Sequence, residues 1–203
     1  MDRADGISLV DERSTVERPF ILTTKLYIPQ THLPLVTRSH LNKQLEACLK
    51  RNLTLVSAPA GFGKTTLIAN WIQKLKDDDR KDDAQNSSFA WISLDQNVND
   101  SVRFMTYFMA GLQIIEASLG EAALDWLESS NELPIESVMA GLINDVSELA
   151  YDVILVFDDF HLITEPAIHE AAAFLLDNQP PNLHLIVISR ADPPWPLARL
   201  RAR

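Results

Sequence analysis

The chain has 203 residues, of which 46% are hydrophobic and 23% are charged, so it is long enough to form one globular domain with a sizeable core. Its net charge of −10 argues against direct contact with nucleic acid, which requires a basic surface. We also expect no membrane contact, because no apolar run approaches the roughly 20 residues that span a bilayer. The single Cys48 cannot form a disulfide within the chain, which fits a reducing cytoplasm.

The first fifth of the chain is predicted to be mostly irregular. Residues 1–19 are rich in Asp, Glu and Arg, and we expect them to form a disordered leader to one domain at 20–203. Residues 20–22 and 26–29 are predicted as short extended pieces, because nearby prolines prevent regular pairing. A helix is then predicted from Thr37 or Ser39 to about Arg51, with one apolar stripe made of Leu41, Leu45 and Leu49.

The next segment, residues 53–66, reads LTLVSAPAGFGKTT and has the order of a P-loop: strand, loop and helix. Residues 53–56 are the predicted strand, and the helix is predicted from Lys64 to about Leu75. One position departs from the strict G-x-x-x-x-G-K-T pattern, because Ala58 replaces the first glycine. Alanine adds only a methyl group there, so we expect it to be tolerated.

The P-loop pattern predicts binding of ATP or ADP with Mg²⁺. Glycines allow backbone N–H groups to turn toward phosphate oxygens, and the N-terminus of the following helix favours the same negative charge. The side chain of Lys64 would reach the β- and γ-phosphates, and the hydroxyl of Thr65 would bind Mg²⁺. The predicted nucleotide-binding residues of the loop are Ala58, Pro59, Ala60, Gly61, Phe62, Gly63, Lys64, Thr65 and Thr66.

The rest of the chain alternates between apolar strands and amphipathic helices. In chain order the pattern predicts a polar loop (76–88), a strand (88–94), a helix from 100 or 101 to about 119 that Gly120 ends, helices at 121–129 and 134–150, a strand (153–157), a helix (165–178) and a strand (183–188). Right-handed crossovers would make these strands a mostly parallel sheet with helices on both faces. We therefore predict a three-layer α/β fold of the P-loop NTPase type, with ligands at the carboxyl ends of the strands.

Three more candidate site residues follow these strands. Asp158 and Asp159 end an uninterrupted apolar run, which is typical of a Walker B motif. Asp158 would hold Mg²⁺ together with Thr65, and Asp159 would orient or deprotonate the attacking water. Arg190 follows the last strand and would contact the γ-phosphate, so Asp159, Arg190 and Lys64 are the predicted catalytic residues. Asp159 is one methylene shorter than the Glu found at this position in many related ATPases, so slow turnover is expected.

Two other chemistries have no support in the sequence. The histidines lack the spacing of a zinc site and are interpreted as structural or exposed: His32, His40, His161, His169 and His184. The G-x-S-x-G signature of a serine hydrolase does not occur.

Several segments together resemble one known family. They are TKLYIP (24–29), LVTRSHL (35–41), the P-loop segment through Trp71, WISLDQNVND (91–100), VILVFDDFHLI (153–163) and the stretch at 169–203. In this combination and order they are similar to the N-terminal ATPase module of MalT-like, LuxR-type transcriptional regulators. These regulators belong to the STAND class of P-loop NTPases, which contain an NB-ARC or AAA-like module of the ASCE type.

The resemblance implies a switch that holds ADP at rest, binds ATP together with a small-molecule or protein inducer, and self-associates on activation. It places Val36 and Arg38 beside the adenine and ribose, and it matches Arg190 to the family's sensor arginine. Family members also have winged-helix, sensor and helix-turn-helix parts, and a fifth strand beside the P-loop strand. These parts would lie beyond Arg203, so we expect this chain to be a fragment whose sheet is incomplete at its C-terminal end.

Two other functions agree with the same residues. An AAA+ type motor or loader ATPase would have the same P-loop and acids but fast, DNA-stimulated turnover. An interaction domain that binds nucleotide only for stability would retain the P-loop without hydrolysis. A small-molecule kinase is disfavoured, because the sequence contains no evident lid over an acceptor substrate.

Overall fold

The computed structural model describes residues 20–30, 39–79, 87–121, 123 and 135–200. The predicted leader at 1–19 lies outside the described residues, as does most of the predicted helix at 121–129. The described residues contain no helix that is both long and apolar enough to cross a membrane.

The predicted α/β fold is confirmed by a four-stranded, wholly parallel sheet. Its strands are β1 (Leu53–Ser57), β2 (Ser87–Ser93), β3 (Asp152–Asp158) and β4 (Leu183–Ser189). Their order across the sheet is β1-β4-β3-β2, so the P-loop strand lies at one edge of the described sheet. Each apolar run of the sequence becomes a strand within one residue of its predicted bounds.

Six helices with at least four consecutive described residues connect or flank these strands. They are α1 (Ser39–Glu46), α2 (Lys64–Asp79), α3 (Ser101–Gln113), α4 (Ile135–Ser147), α5 (Pro166–Asn178) and α6 (Leu197–Leu200). Short 3₁₀ segments lie at Thr23–Leu26, Ala47–Lys50, Gln96–Val98 and Phe160–Leu162.

Alternating side chains of the central strands divide the core into two layers. In β3, Val153, Leu155 and Phe157 pack with residues of α3, α4 and α5. The residues between them, Ile154 and Val156, pack on the other face with Ile68, Trp71 and Ile72 of α2. Because successive side chains of a strand point to opposite faces, β3 is buried on both sides, as its continuous apolar run predicts.

Several predicted element boundaries were wrong. Residues 76–79 were predicted as loop, but they form the last turn of α2, where the Gln73 side chain donates to Asp77 at 3.1 Å. Adding a turn to an existing helix costs little, so polar residues extend it. Helix α3 ends at Gln113 instead of near 119, and Gly120, with φ +72°, lies in the turn that follows.

Three smaller differences concern shorter segments. Leu26, predicted as extended, is the buried last residue of a 3₁₀ turn that begins at Thr23. The helix predicted to reach Arg51 tightens into 3₁₀ geometry after Glu46. Helix α4 ends at Ser147 instead of near Ala150. In the two helices the sequence pattern predicted the element but not where regular hydrogen bonding stops.

Candidate functional site

The loop between β1 and α2 has the backbone that a phosphate cradle requires. Gly61 and Gly63 have φ values of +80° and +73°, which glycine adopts without steric cost. A Cβ built on either residue would meet no atom within 4 Å, so the loop needs glycine for its conformation and is otherwise open. Asp159 is the only described non-glycine residue with positive φ, so Ala58 keeps an ordinary backbone, as the sequence analysis expected.

Lys64, the first residue of α2, lies back over this loop. Its Nζ donates hydrogen bonds to the backbone oxygens of Ala58 at 2.8 Å and Pro59 at 3.1 Å. The N–H of Ala58 in turn donates to the backbone oxygen of Ser189 at 3.4 Å, which connects the start of the loop to the end of β4. Two backbone carbonyl oxygens of the loop therefore position the ammonium group.

Thr65 and Asp158 meet at the mouth of the loop. The Thr65 hydroxyl donates to Oδ1 of Asp158 at 3.0 Å, although the two residues are 93 positions apart. The N–H of Asp159 donates to the same oxygen at 3.0 Å. Helix α2 and strand β3 thus bring together the two oxygen groups that were predicted to hold Mg²⁺.

The electrostatics at Asp158 favour a cation. Its side chain is only 5% exposed. Burial raises the pKa of this carboxyl to about 6, the Asp159 carboxylate adds to the rise, and Thr65, the Asp159 N–H and Lys64 oppose it. Since burial penalises the charged form, a divalent cation beside Asp158 would offset that penalty.

The described residues contain no group of three or more His, Cys, Asp and Glu side chains arranged to hold a metal ion. A cation at Asp158 and Thr65 would therefore need additional oxygen ligands from a bound nucleotide or water. That requirement suits Mg²⁺, which usually keeps few protein ligands and shares substrate phosphates. The donor set accordingly fits Mg²⁺ held together with a nucleotide.

Asp159 differs from Asp158 in its backbone conformation and in its exposure to solvent. Its φ of +57° and ψ of +37° are left-handed, and its side chain is 45% exposed. It begins the 3₁₀ segment Phe160–Leu162, whose Leu162 N–H donates to the Asp159 backbone oxygen at 3.0 Å. One acid is thus buried against Thr65, while its neighbour is largely exposed.

His161, which the sequence analysis interpreted as structural or exposed, lies beside Asp159. Its ring is 15% exposed, and its Nδ1 lies 3.8 Å from Oδ1 of Asp159. Burial lowers the pKa of His161, the Asp159 carboxylate opposes that, and the charges of Arg190 and Lys64 lower it further. The only sequence signal was its position two residues after Asp159, in D-D-F-H.

Arg190 follows β4 and is exposed. It lies close enough to His161 to lower the pKa of the ring, as does Lys64. Ser189, just before it, is buried and donates its hydroxyl to the backbone oxygen of Ala191. Five of the predicted site residues therefore lie at the carboxyl ends of β1, β3 and β4: Lys64, Thr65, Asp158, Asp159 and Arg190. Val36 and Arg38, which were predicted to lie beside the adenine and ribose, are outside the described residues.

A separate cleft of about 740 Å³ runs along the outer edge of β1. It is lined by Arg51, Asn52, Leu53, Leu55, Ser57 and Leu200 among others, and by none of the residues 58–66. The sequence analysis expected a fifth strand at this edge, and that expectation stays a prediction.

The strand order, the glycine loop before α2 and the acids after β3 define the class of fold, which is a P-loop NTPase domain. No protein-family model matches the chain. A solved structure of PCH-2 from C. elegans is distantly similar, with 15% identity and a TM-score of 0.44 over 80% of this chain and 38% of that one.

Known transcriptional regulators are more similar to this chain in sequence than PCH-2 is. The chain is 37% identical over 183 residues to the HTH-type transcriptional regulator MalT of Yersinia enterocolitica, and 37% identical over 186 residues to MalT of Yersinia pestis strain Pestoides F. Each match covers 90% of this chain and 19% of the regulator. The resemblance to MalT-like regulators is thus confirmed, and the chain spans about a fifth of the length of the curated relatives it matches.

Proposed function

We propose that this chain is an ATP-binding, slowly hydrolysing switch module of a signal-responsive transcriptional regulator. The observation that carries the proposal is the 3.0 Å contact between Thr65, on the helix after the glycine loop, and Asp158, at the end of the buried strand β3. These two side chains belong to the two halves of a Mg²⁺–nucleotide site, and the similarity to MalT supports the regulatory role.

The chain's own residues divide the work of binding. The N–H groups of residues 60–63 and the N-terminus of α2 would surround the phosphates. Lys64 would exchange its hydrogen bonds with Ala58 and Pro59 for bonds to β- and γ-phosphate oxygens. Thr65 and Asp158 would hold Mg²⁺, which neutralises phosphate charge when bound.

Hydrolysis would use the exposed acid. Asp159 would orient the attacking water and accept its proton, while Arg190 would stabilise charge on the terminal phosphate. Without an arginine supplied by a partner, sites of this kind turn over at about 10⁻⁴ to 10⁻² s⁻¹. Such a rate suits a switch, which must remain in one nucleotide state long enough to act on other parts of a regulator.

The partners follow from the same proposal. ADP would be held at rest and ATP in the active state, with self-association and an inducer acting through other parts of the full regulator. Direct contact between this segment and DNA is not proposed, because its net charge is −10. We place the module in the cytoplasm, where a transcriptional regulator meets ATP.

The first experiment identifies the nucleotide and tests the loop. Mass spectrometry of the small molecules released from the purified chain should show ADP or ATP. Lys64→Ala should weaken ATP binding by at least about 100-fold, because it removes the ammonium group that pairs with the phosphates. The matched control is Lys74→Ala, an exposed lysine of the same helix, which should bind like the parent chain. Equal affinities in the two variants would reject the P-loop assignment.

The second measurement separates binding from hydrolysis. Asp159→Asn should bind ATP normally and lose most of its phosphate release, since the amide cannot accept the proton of water. Unchanged turnover in Asp159→Asn would reject that role, and zero turnover in the parent chain with nucleotide bound would favour an interaction domain. Fast turnover stimulated by DNA would instead favour a motor.

A further inference from the structure

His161 occupies the centre of the candidate site without any role in the function proposed above. Its ring lies beside Asp159, and the charges of Lys64 and Arg190 both act on it. Its Nδ1 is buried, and in the described part of the chain it has no hydrogen-bond partner. A buried ring nitrogen normally has a partner, so this atom requires an explanation.

The backbone around His161 is firmly held. Phe160, just before it, is 1% exposed and packs on Phe157 and Trp195, with ring centroids 5.9 Å and 5.0 Å away. Ile163, just after the 3₁₀ segment, is buried, and its backbone oxygen lies 3.0 Å from Nε2 of His169. Apolar residues on both sides therefore fix the backbone at His161, whose ring is 15% exposed, whereas the Asp159 side chain beside it is 45% exposed.

The His161 ring and the Asp159 carboxylate are near enough for a small movement to form a hydrogen bond between them. Nδ1 of His161 and Oδ1 of Asp159 are 3.8 Å apart, and a side-chain rotation of Asp159 would shorten this to a hydrogen bond of about 2.8 Å. Catalytic hydrogen bonds are often long before substrate binds and tighten afterward. The lowered pKa keeps the ring neutral, so one nitrogen can donate while the other accepts.

We propose that His161 is a positioning residue for Asp159, with its Nδ1–H donating to the Asp159 carboxylate and holding it toward the terminal phosphate. This inference rests on the hydrolysis proposed above. Asp159 would then have a single orientation when the attacking water arrives, in the way that a fixed partner orients a general base. His161 itself would not contact the nucleotide.

The test compares three replacements of one ring. In His161→Asn the amide nitrogen stands near the place of Nδ1, in His161→Gln it stands near Nε2, and His161→Phe keeps the ring without nitrogens. We expect kcat to fall about 10- to 100-fold in the Phe and Gln variants, with KM changed less than about 2-fold, and to recover within about 3-fold in His161→Asn. His40→Asn, at an exposed histidine of α1, is the matched control and should behave like the parent chain.

Nitrogen NMR of the imidazole gives a second readout that needs no turnover. The neutral ring should carry its proton on Nδ1, and Asp159→Ala should weaken that preference. A ring protonated on Nε2, equal kcat in all variants, or a raised KM at unchanged kcat would each overturn the positioning role while leaving the proposed function intact. If the parent chain binds ATP without hydrolysing it, the hydrolysis proposal fails, and the tautomer alone decides whether His161 holds Asp159.

Discussion

The strands of the sheet all begin at one end and finish at the other, which we call the amino edge and the carboxyl edge. These two edges use polar side chains in opposite ways. At the amino edge, where the strands begin, the Asn182 side chain donates to the backbone oxygens of Val146 at 2.8 Å and Leu149 at 3.1 Å. Gln179 donates to Asn52 at 2.9 Å and Leu183 at 2.6 Å. These side chains close helix ends and strand starts, so their hydrogen bonds serve the fold alone.

At the carboxyl edge, where the strands end, the polar groups include a buried ionisable side chain and a strained backbone. Asp158 is buried with its pKa raised to about 6, and Asp159 has a left-handed backbone. Nδ1 of His161 lacks a hydrogen-bond partner in the described chain, but so do three buried atoms at the amino edge: Gln179 Oε1, Asn182 Oδ1 and His184 Nε2. Features of this kind persist where a ligand or reaction uses them. The comparison implies that substitutions at the amino edge should destabilise the fold, while some at the carboxyl edge should stabilise it.

The largest effect is expected at the amino edge. Asn182→Ala should lower the free energy of unfolding by about 3 kcal/mol, because it leaves the oxygens at the end of α4 without their donor. Chemical denaturation measures the change. The control is Asn178→Ala, whose exposed amide donates only to Phe174 at 2.9 Å, and it should cost less than about 0.5 kcal/mol. Similar losses in the two variants would contradict a special role for the amino edge.

The next largest effect is an increase in the free energy of unfolding, expected at Asp158. The pKa of Asp158 is raised from 3.8 to about 6, so the folded chain binds more protons than the unfolded chain between these values. Stability contributed by this group is therefore full at low pH and falls as pH rises through about 6, by on the order of 2 kcal/mol. Asp158→Asn, which keeps an acceptor for Thr65, should remove that loss.

The measurement is the difference in unfolding free energy between Asp158→Asn and the parent chain, in chelator and without nucleotide. It should be near zero at about pH 4 and favour the variant by about 2 kcal/mol at pH 7. A variant that is less stable at pH 7 would show that the buried charge is compensated within the chain.

The sequence predicted the parts of the molecule that depend on local pattern. Apolar runs placed all four strands within a residue, and the order of motifs placed Lys64, Thr65, Asp158 and Arg190 at one edge. Helix ends were less predictable, because the last turn of α2 depends on a few weak contacts such as Gln73 with Asp77.

The geometry of the site was also beyond the sequence. A single His161 among five histidines carries no periodic signal, and its place beside Asp159 arises from the 3₁₀ turn that Phe160 anchors. The left-handed backbone of Asp159 follows from the same turn. Such features depend on tertiary packing, which a pattern of residue types does not record.

The smallest expected effect concerns the backbone of Asp159. A φ of +57° costs about 1 kcal/mol of folding free energy for a residue with a Cβ, and glycine would remove that cost. Glycine also loses more backbone entropy on folding, which offsets part of the gain. Asp159→Gly should therefore be more stable than Asp159→Asn by about 0.5 kcal/mol in thermal or chemical unfolding. Both variants remove the same charge, so their difference excludes the charge and reports the relief of the backbone together with the loss of the side chain. If Asp159→Gly proved the less stable of the two, the left-handed turn would be favourable in itself, and Asp159 would lie at the carboxyl edge without cost to the fold.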